Sequence, residues 1–89
     1  MSTPFTLGQT VITSNAQGKL HPEDVVLGLA RHAAGDWGEV NDEDKGLNDQ
    51  ALHDDDRLLS AYTDRSGAKF WIITEADRSA TTVLLPEDY

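Results

Sequence analysis

The chain reads as an α+β protein: a two-layer domain of order β-α-α-β-β-β, with two helices on one face of an antiparallel sheet of three to four strands. Three observations predict it. Apolar side chains recur every four residues after Pro22, and an acid-rich stretch with a narrow apolar edge follows Asn41. Three runs rich in β-branched and aromatic residues, separated by short turns, fill the last third. Helices in succession followed by strands in succession build segregated layers rather than alternating strand–helix–strand units. With 89 residues there is room for one domain, 1–89, whose core buries roughly 60–65% of the surface the unfolded chain exposes.

Thr6 to Thr13 forms the first strand, with Leu7 and Val11 on one face and Thr10 and Ile12 on the other. Ser14-Asn15 caps a short helical turn that ends near Gly18. Pro22 opens the first full helix: its missing N–H would be unbonded there anyway, and Glu23 and Asp24 suit the positive end of the dipole. As far as Ala34, Val25, Leu29 and Ala33, with Val26 and Ala30 beside them, make a buried stripe that Gly35 ends. Asp36 to Val40 is a connector anchored by Trp37. Asn41 caps a second helix running to about Asp55, with Asp42, Glu43 and Asp44 in its first turn. Leu47, Ala51 and Leu52 are its only apolar edge, so it lies on the surface. Arg57–Thr63, Lys69–Thr74 and Ala80–Leu85 are strands, joined by turns at Asp64–Gly67 and Ala76–Ser79 and stopped by Pro86. Phe70 and Ile72 face opposite to Trp71 and Ile73, and one pair meets the helices. Trp71 is assigned to the core.

Charge is the chain's strongest functional signal. Sixteen acids against seven bases give −9, and nine of the acids lie between Asp36 and Asp56, where Lys45 is the single base. Such a face attracts basic protein surfaces and repels nucleic acid and membranes. The candidate partner-binding residues are Asp36, Trp37, Glu39, Asp42, Glu43, Asp44, Asp49, Asp54, Asp55 and Asp56. Asp42, Asp49 and Asp56 are seven apart and drift only ~20° per heptad, so a helix through them lines them up. DNA presents a phosphate every ~3.4 Å along each strand, a spacing such carboxylates can imitate. Trp37 is an interface anchor if exposed and a core residue if its flanking glycines fold it back. The plain alternative is a solvated acidic helix that serves solubility.

No catalytic residue, metal site or cofactor is assigned. Asp54-Asp55-Asp56 offers hard oxygen ligands suited to Ca²⁺ or Mg²⁺, but neighbours on a helix end diverge and no EF-hand spacing follows. His21, His32 and His53 show no ligand spacing. His32 lies on the apolar stripe, where a hydrogen-bonded, partly buried ring is expected; His53 sits near a helix C-terminus, and His21 precedes or caps a helix. Glu75, Asp77 and Arg78, beside Ser79, Thr81 and Thr82, read as a turn held by Asp-to-backbone bonds and an Asp77–Arg78 or Glu75–Arg78 contact. There is no cysteine, no signal-peptide pattern at Met1–Phe5 and no run of the ~20 apolar residues a membrane span needs. A cytoplasmic protein is expected.

Gly35-Asp36-Trp37-Gly38, Arg57-Leu58-Leu59-Ser60-Ala61-Tyr62, Gly67, Trp71 to Ser79, Thr81-Thr82 and Leu84 to Tyr89 together resemble a family of short, mostly uncharacterised proteins. Its members are found on bacterial plasmids, integrative elements and phages, and the likeness runs from about Phe5 to Tyr89. The resemblance implies an accessory protein of mobile DNA in a bacterial host, a setting that includes inhibitors of defence nucleases; it brings no reaction, cofactor or catalytic residue. The expected function is therefore non-enzymatic binding of a basic surface on a protein or nucleoprotein complex, in its sharpest form a CRISPR or restriction nuclease. The alternative is an accessory protein acting through sheet contacts or homodimerisation, so both monomer and homodimer stay open.

Overall fold

Thr13, His21 and Asn41 each hold extended backbone immediately before a helix. The computed structural model describes residues 4–89, so residues 1–3 of the N-terminal run read above lie outside it. The elements are β1 (Gln9–Ile12), α1 (Ser14–Lys19), α2 (Pro22–Ala33), α3 (Asp42–Asp54), β2 (Leu58–Thr63), β3 (Lys69–Thr74) and β4 (Ala80–Leu84), closed by a 3₁₀ turn at Pro86–Asp88. The order is that of the expected α+β domain, with a short helix where a helical turn was expected. Thr13, not Ser14 or Asn15, caps α1: its hydroxyl accepts from the Ala16 N–H at 3.2 Å. Asn41 Oδ1 accepts from the Asp44 N–H at 2.8 Å, and Asp55 ends α3 at φ 56. β1 is shorter than its sequence run, because Gly8 takes φ 64 and Leu7 gives its carbonyl to the Thr81 hydroxyl.

The strands lie in the order β1-β4-β3-β2. β2, β3 and β4 are antiparallel, while β1 joins β4 in parallel, so the sheet is mixed. The reason is topological. Three helices carry the chain from β1 to the far border before β2 begins, and two hairpins then bring β4 back pointing the same way as β1.

α2 sits on the sheet through Gly28 and His32, both buried. A Cβ on Gly28 would lie 2.9 Å from Phe70 Cε2, so only glycine allows this approach. That line of contact keeps Val25 and Leu29 inward but turns Val26 (65% exposed) and Leu27 (60%) to solvent. Val26 and Ala30 thus leave the expected stripe, while His32 keeps its expected place on it. Phe70 and Ile72 meet the helices in a core with Ala16, Leu20, Tyr62, Val83 and Leu85. A second core joins Phe5, Trp37, Ala51 and Leu58. Trp71, expected inside, is half-buried on the opposite face, edge-on to the Tyr89 ring at 5.7 Å.

His32 is fully buried, its ring edge-on to Phe5 (5.3 Å) and Trp37 (5.6 Å). Its Nδ1 meets the Ser60 hydroxyl and its Nε2 the Thr74 hydroxyl at 2.8 Å; Thr74 in turn meets Thr81 at 2.7 Å. The Leu7 carbonyl can only accept, so Thr81 donates to it. Reading back, Thr74 donates to Thr81, His32 Nε2–H donates to Thr74, and Ser60 donates to Nδ1. The acceptor at the end of the chain orders the protons as far as Nε2, and burial, which keeps the ring neutral near pH 7, leaves Nδ1 to accept from Ser60.

Gly46 lies in the exposed interior of α3, with nothing within 4 Å of an added Cβ. Gly46→Ala is expected to stabilise the domain by about 0.5–1 kcal/mol, because alanine has the higher helix propensity. Urea unfolding checks it.

Candidate functional site

The candidate residues do not form one uniform acidic surface; the structure sorts them. Asp36 receives the Arg31 guanidinium through Nε (2.8 Å) and Nη2 (3.3 Å), plus the Gly38 N–H at 3.2 Å. The Arg31 hydrogen bonds hold its carboxyl below the usual aspartate range. Asp36 is therefore neutralised within the fold and drops out of the acidic face. Trp37 is corrected too. At 4% exposure it is core, packed on Phe5, Ala51 and Leu58, and no partner reaches it. Its indole N–H donates to Asp49 Oδ1 at 2.9 Å, which ties Asp49 to the connector. Glu39 accepts from the Thr63 hydroxyl at 2.9 Å. The expected line Asp42–Asp49–Asp56 also fails, since the left-handed Asp55 ends α3 and swings Asp56 off the helix.

What remains is two exposed acidic triads, Asp42-Glu43-Asp44 in the first turn and Asp54-Asp55-Asp56 at the other end. Twelve residues of helix separate Asp42 from Asp54, about 18 Å. Among the described residues none of these six carboxylates is in an ion pair. Three of the four arginines pair with other acids: Arg31 with Asp36, Arg57 with Glu75 (and the Tyr89 hydroxyl), Arg65 with Glu23 and Asp24.

Arg78 explains how the second triad is held. Its Nη1 donates to the Asp56 carbonyl at 2.6 Å and its Nη2 to the Ala51 carbonyl at 3.1 Å. A guanidinium thus adds donors to a carbonyl in the last turn of α3 and to one just beyond it, at the negative end of the helix, without touching a carboxylate there. The expected contact with Glu75 is made to its carbonyl (3.2 Å), and the Glu75 carboxylate pairs with Arg57 instead. Asp77 accepts from Ser79 N–H and hydroxyl at 3.0 and 2.6 Å, which makes the turn.

Between the triads α3 and β2 enclose a groove of two adjoining depressions, about 300 and 240 Å³. Leu47, Asn48 and Arg57 line both, with Asp44 at one end and Asp54 and Asp56 at the other. Leu47, read from sequence as part of a packed edge, is 58% exposed, and Asn48 takes the buried place. The Asn48 amide donates to the Leu59 carbonyl (2.7 Å) and accepts from its N–H (3.1 Å). A side chain thus pairs with the border of β2 as a strand would. No spacing rule marks either residue; both depend on how far α3 rotates against the sheet.

The arrangement suits docking of a cationic segment with an apolar contact. Ser60 and His32 make a hydroxyl–imidazole pair, but both are sealed from solvent. Among the described residues no group of three or more His, Asp or Glu is placed to hold a metal ion, and no helix is long and apolar enough to cross a membrane. Comparison with known proteins finds no matching family model, curated relative or solved structure.

Proposed function

We propose that this is a non-enzymatic binding protein that docks the acidic face of α3 on a basic surface of a protein or nucleoprotein complex. The observation that carries the reading is the pair of exposed triads whose six carboxylates make no ion pair among the described residues, Arg31, Arg57 and Arg65 pairing with other acids and Arg78 bonding only carbonyls at the second triad. Leu47 and the groove beside it supply an apolar anchor between the charges. Within a bacterial host, and in the mobile-DNA setting the sequence resembles, the partner class that fits is a defence nuclease that grips nucleic acid with Lys and Arg. The two triads, about 18 Å apart, would then occupy two phosphate-binding places rather than a continuous run.

The test is capture from bacterial lysate at low salt, with mass spectrometry of what is retained. The wild type is expected to hold a basic protein or complex that salt releases, since exposed charges are screened over about 10 Å at 0.1 M. A variant carrying Asn or Gln at Asp42, Glu43, Asp44, Asp54, Asp55 and Asp56 is expected to bind it about tenfold more weakly or worse. Equal retention by that variant would overturn the reading. Direct binding of duplex DNA by the protein alone is not expected, because phosphate and carboxylate repel.

A further inference from the structure

The two borders of the sheet are treated differently. On the β2 side, Asn48 bonds both backbone groups of Leu59, while Ala61 gives its N–H to Trp37 and accepts from the Glu39 N–H. On the β1 side the described residues offer nothing comparable. Gln9 N–H donates to Ser79 and Thr13 N–H to Val83, both at 3.0 Å, within the register Gln9↔Ala80 to Ile12↔Val83. Alternation then points the N–H and C=O of Thr10 and Ile12 outward. Among the described residues no hydrogen bond reaches these groups from outside the sheet. Gln9, Thr10 and Val11 are exposed, Val11 to 41%. β1 holds no lysine or proline, the usual guards of a strand border.

We infer that this border is a self-association site, occupied by β1 of a second copy running antiparallel about a two-fold axis at Val11. The geometry is self-complementary. Centred on Val11, Thr10 of each copy faces Ile12 of the other in a hydrogen-bonded pair. Two such pairs exchange four hydrogen bonds and satisfy every outward backbone group. The two Val11 side chains meet on the face away from α2, in the close non-hydrogen-bonded position. On the helix side, Ile12, Leu20, Pro22 and Val25 line a recess of about 210 Å³ beside the border, and Thr10 of the second copy lies against it.

Charge selects a copy of this chain despite its −9. No charged side chain occurs before Lys19, so the strand itself is uncharged, and Asp88, which folds back beside its end, is held by the Thr13 hydroxyl and the Asn15 amide. α3 packs on β2, at the opposite border. Strand spacing of about 4.8 Å would put the two β2 strands about 34 Å apart in the joined eight-stranded sheet. That exceeds three Debye lengths at physiological salt, so the acidic faces scarcely repel.

Sedimentation velocity over a range of concentrations, at low and high salt, tests the inference together with amide hydrogen exchange. A concentration-dependent dimer is expected that persists or strengthens as salt rises. Its Thr10 and Ile12 amides should exchange more slowly as concentration increases, while Leu59 and Ala61 stay protected throughout. Thr10→Pro removes an N–H that the ladder to β4 does not use, so the dimer should be lost with the circular dichroism spectrum retained. Val11→Lys provides a second variant at an exposed position, placing like charges face to face across the axis. A monomer at every concentration overturns the inference, as does dimerisation of both variants at wild-type strength. The six-fold neutralised α3 variant should dimerise at least as well as wild type, which separates this outcome from the fate of the acidic-face reading.

Discussion

His32→Ala is expected to cost about 3–5 kcal/mol of folding free energy. The loss combines a ring-sized cavity beside Phe5 and Trp37 with the bonds that the ring makes to the Ser60 and Thr74 hydroxyls, of which Thr74 keeps only its bond to Thr81. Against a typical total of about 5–15 kcal/mol this leaves a marginal protein, and chemical unfolding reads it directly. The same ring gives a pH signature. Burial lowers its pKa from 6.5 to about 4. The unfolded chain therefore binds a proton on His32 throughout that interval and the folded one does not. Stability is complete above pH 6.5 and falls as the pH drops toward 4, by up to about 3 kcal/mol. The lowered aspartates, Asp24, Asp36, Asp77 and Asp88 among them, start from 3.8 and lose their contribution only in more acidic solution. Between pH 6.5 and 5 the slope thus belongs to His32, and His32→Gln is expected to abolish it. An unchanged slope in that variant would refute the assignment.

Gly38→Ala is expected to be comparably severe. Gly38 sits at φ 74 in a single parallel bridge to Ala61. An added Cβ would fall 2.2 Å from the Ala61 carbonyl oxygen and 2.6 Å from Tyr62 Cε1, where the obstacle includes backbone that cannot turn aside. The left-handed conformation alone costs an alanine roughly 1–2 kcal/mol. The clash would also part Trp37 and Glu39 from β2, for a total of about 3 kcal/mol or more. Gly67→Ala is the control: it shares a positive φ (90°) but meets nothing within 4 Å. If the two variants unfold at the same denaturant concentration, close packing at Gly38 is not what the position requires.

The elements were legible because their periods and caps are local. Pro22, Asn41 and the Asp64–Gly67 turn each announce themselves within four residues, and Asp64 accepts from Ser66 and Ala68 as a turn aspartate does. What stayed hidden was contact between distant segments. His32 could be placed on an apolar stripe, but its partners Ser60 and Thr74 lie 28 and 42 residues away. Trp37 stayed ambiguous because its burial depends on Phe5, Ala51 and Leu58 arriving from three other segments. The acidic stretch was correctly located as composition, yet its division into two triads turns on one left-handed residue, Asp55, and on Arg31 being free to take Asp36. The parallel pairing of β1 likewise reflects where the helices return the chain, which no strand pattern encodes.

The amide of Asn48 has a consequence for higher assembly. A sheet with two receptive sides could stack end over end into a fibre, as amyloid-forming segments do. Here Asn48 occupies one side as a stopper, so growth by strand addition would terminate after a single step. Loss of that carboxamide would bare only Leu59, because Trp37 and Glu39 still hold both backbone groups of Ala61 and keep the particle finite.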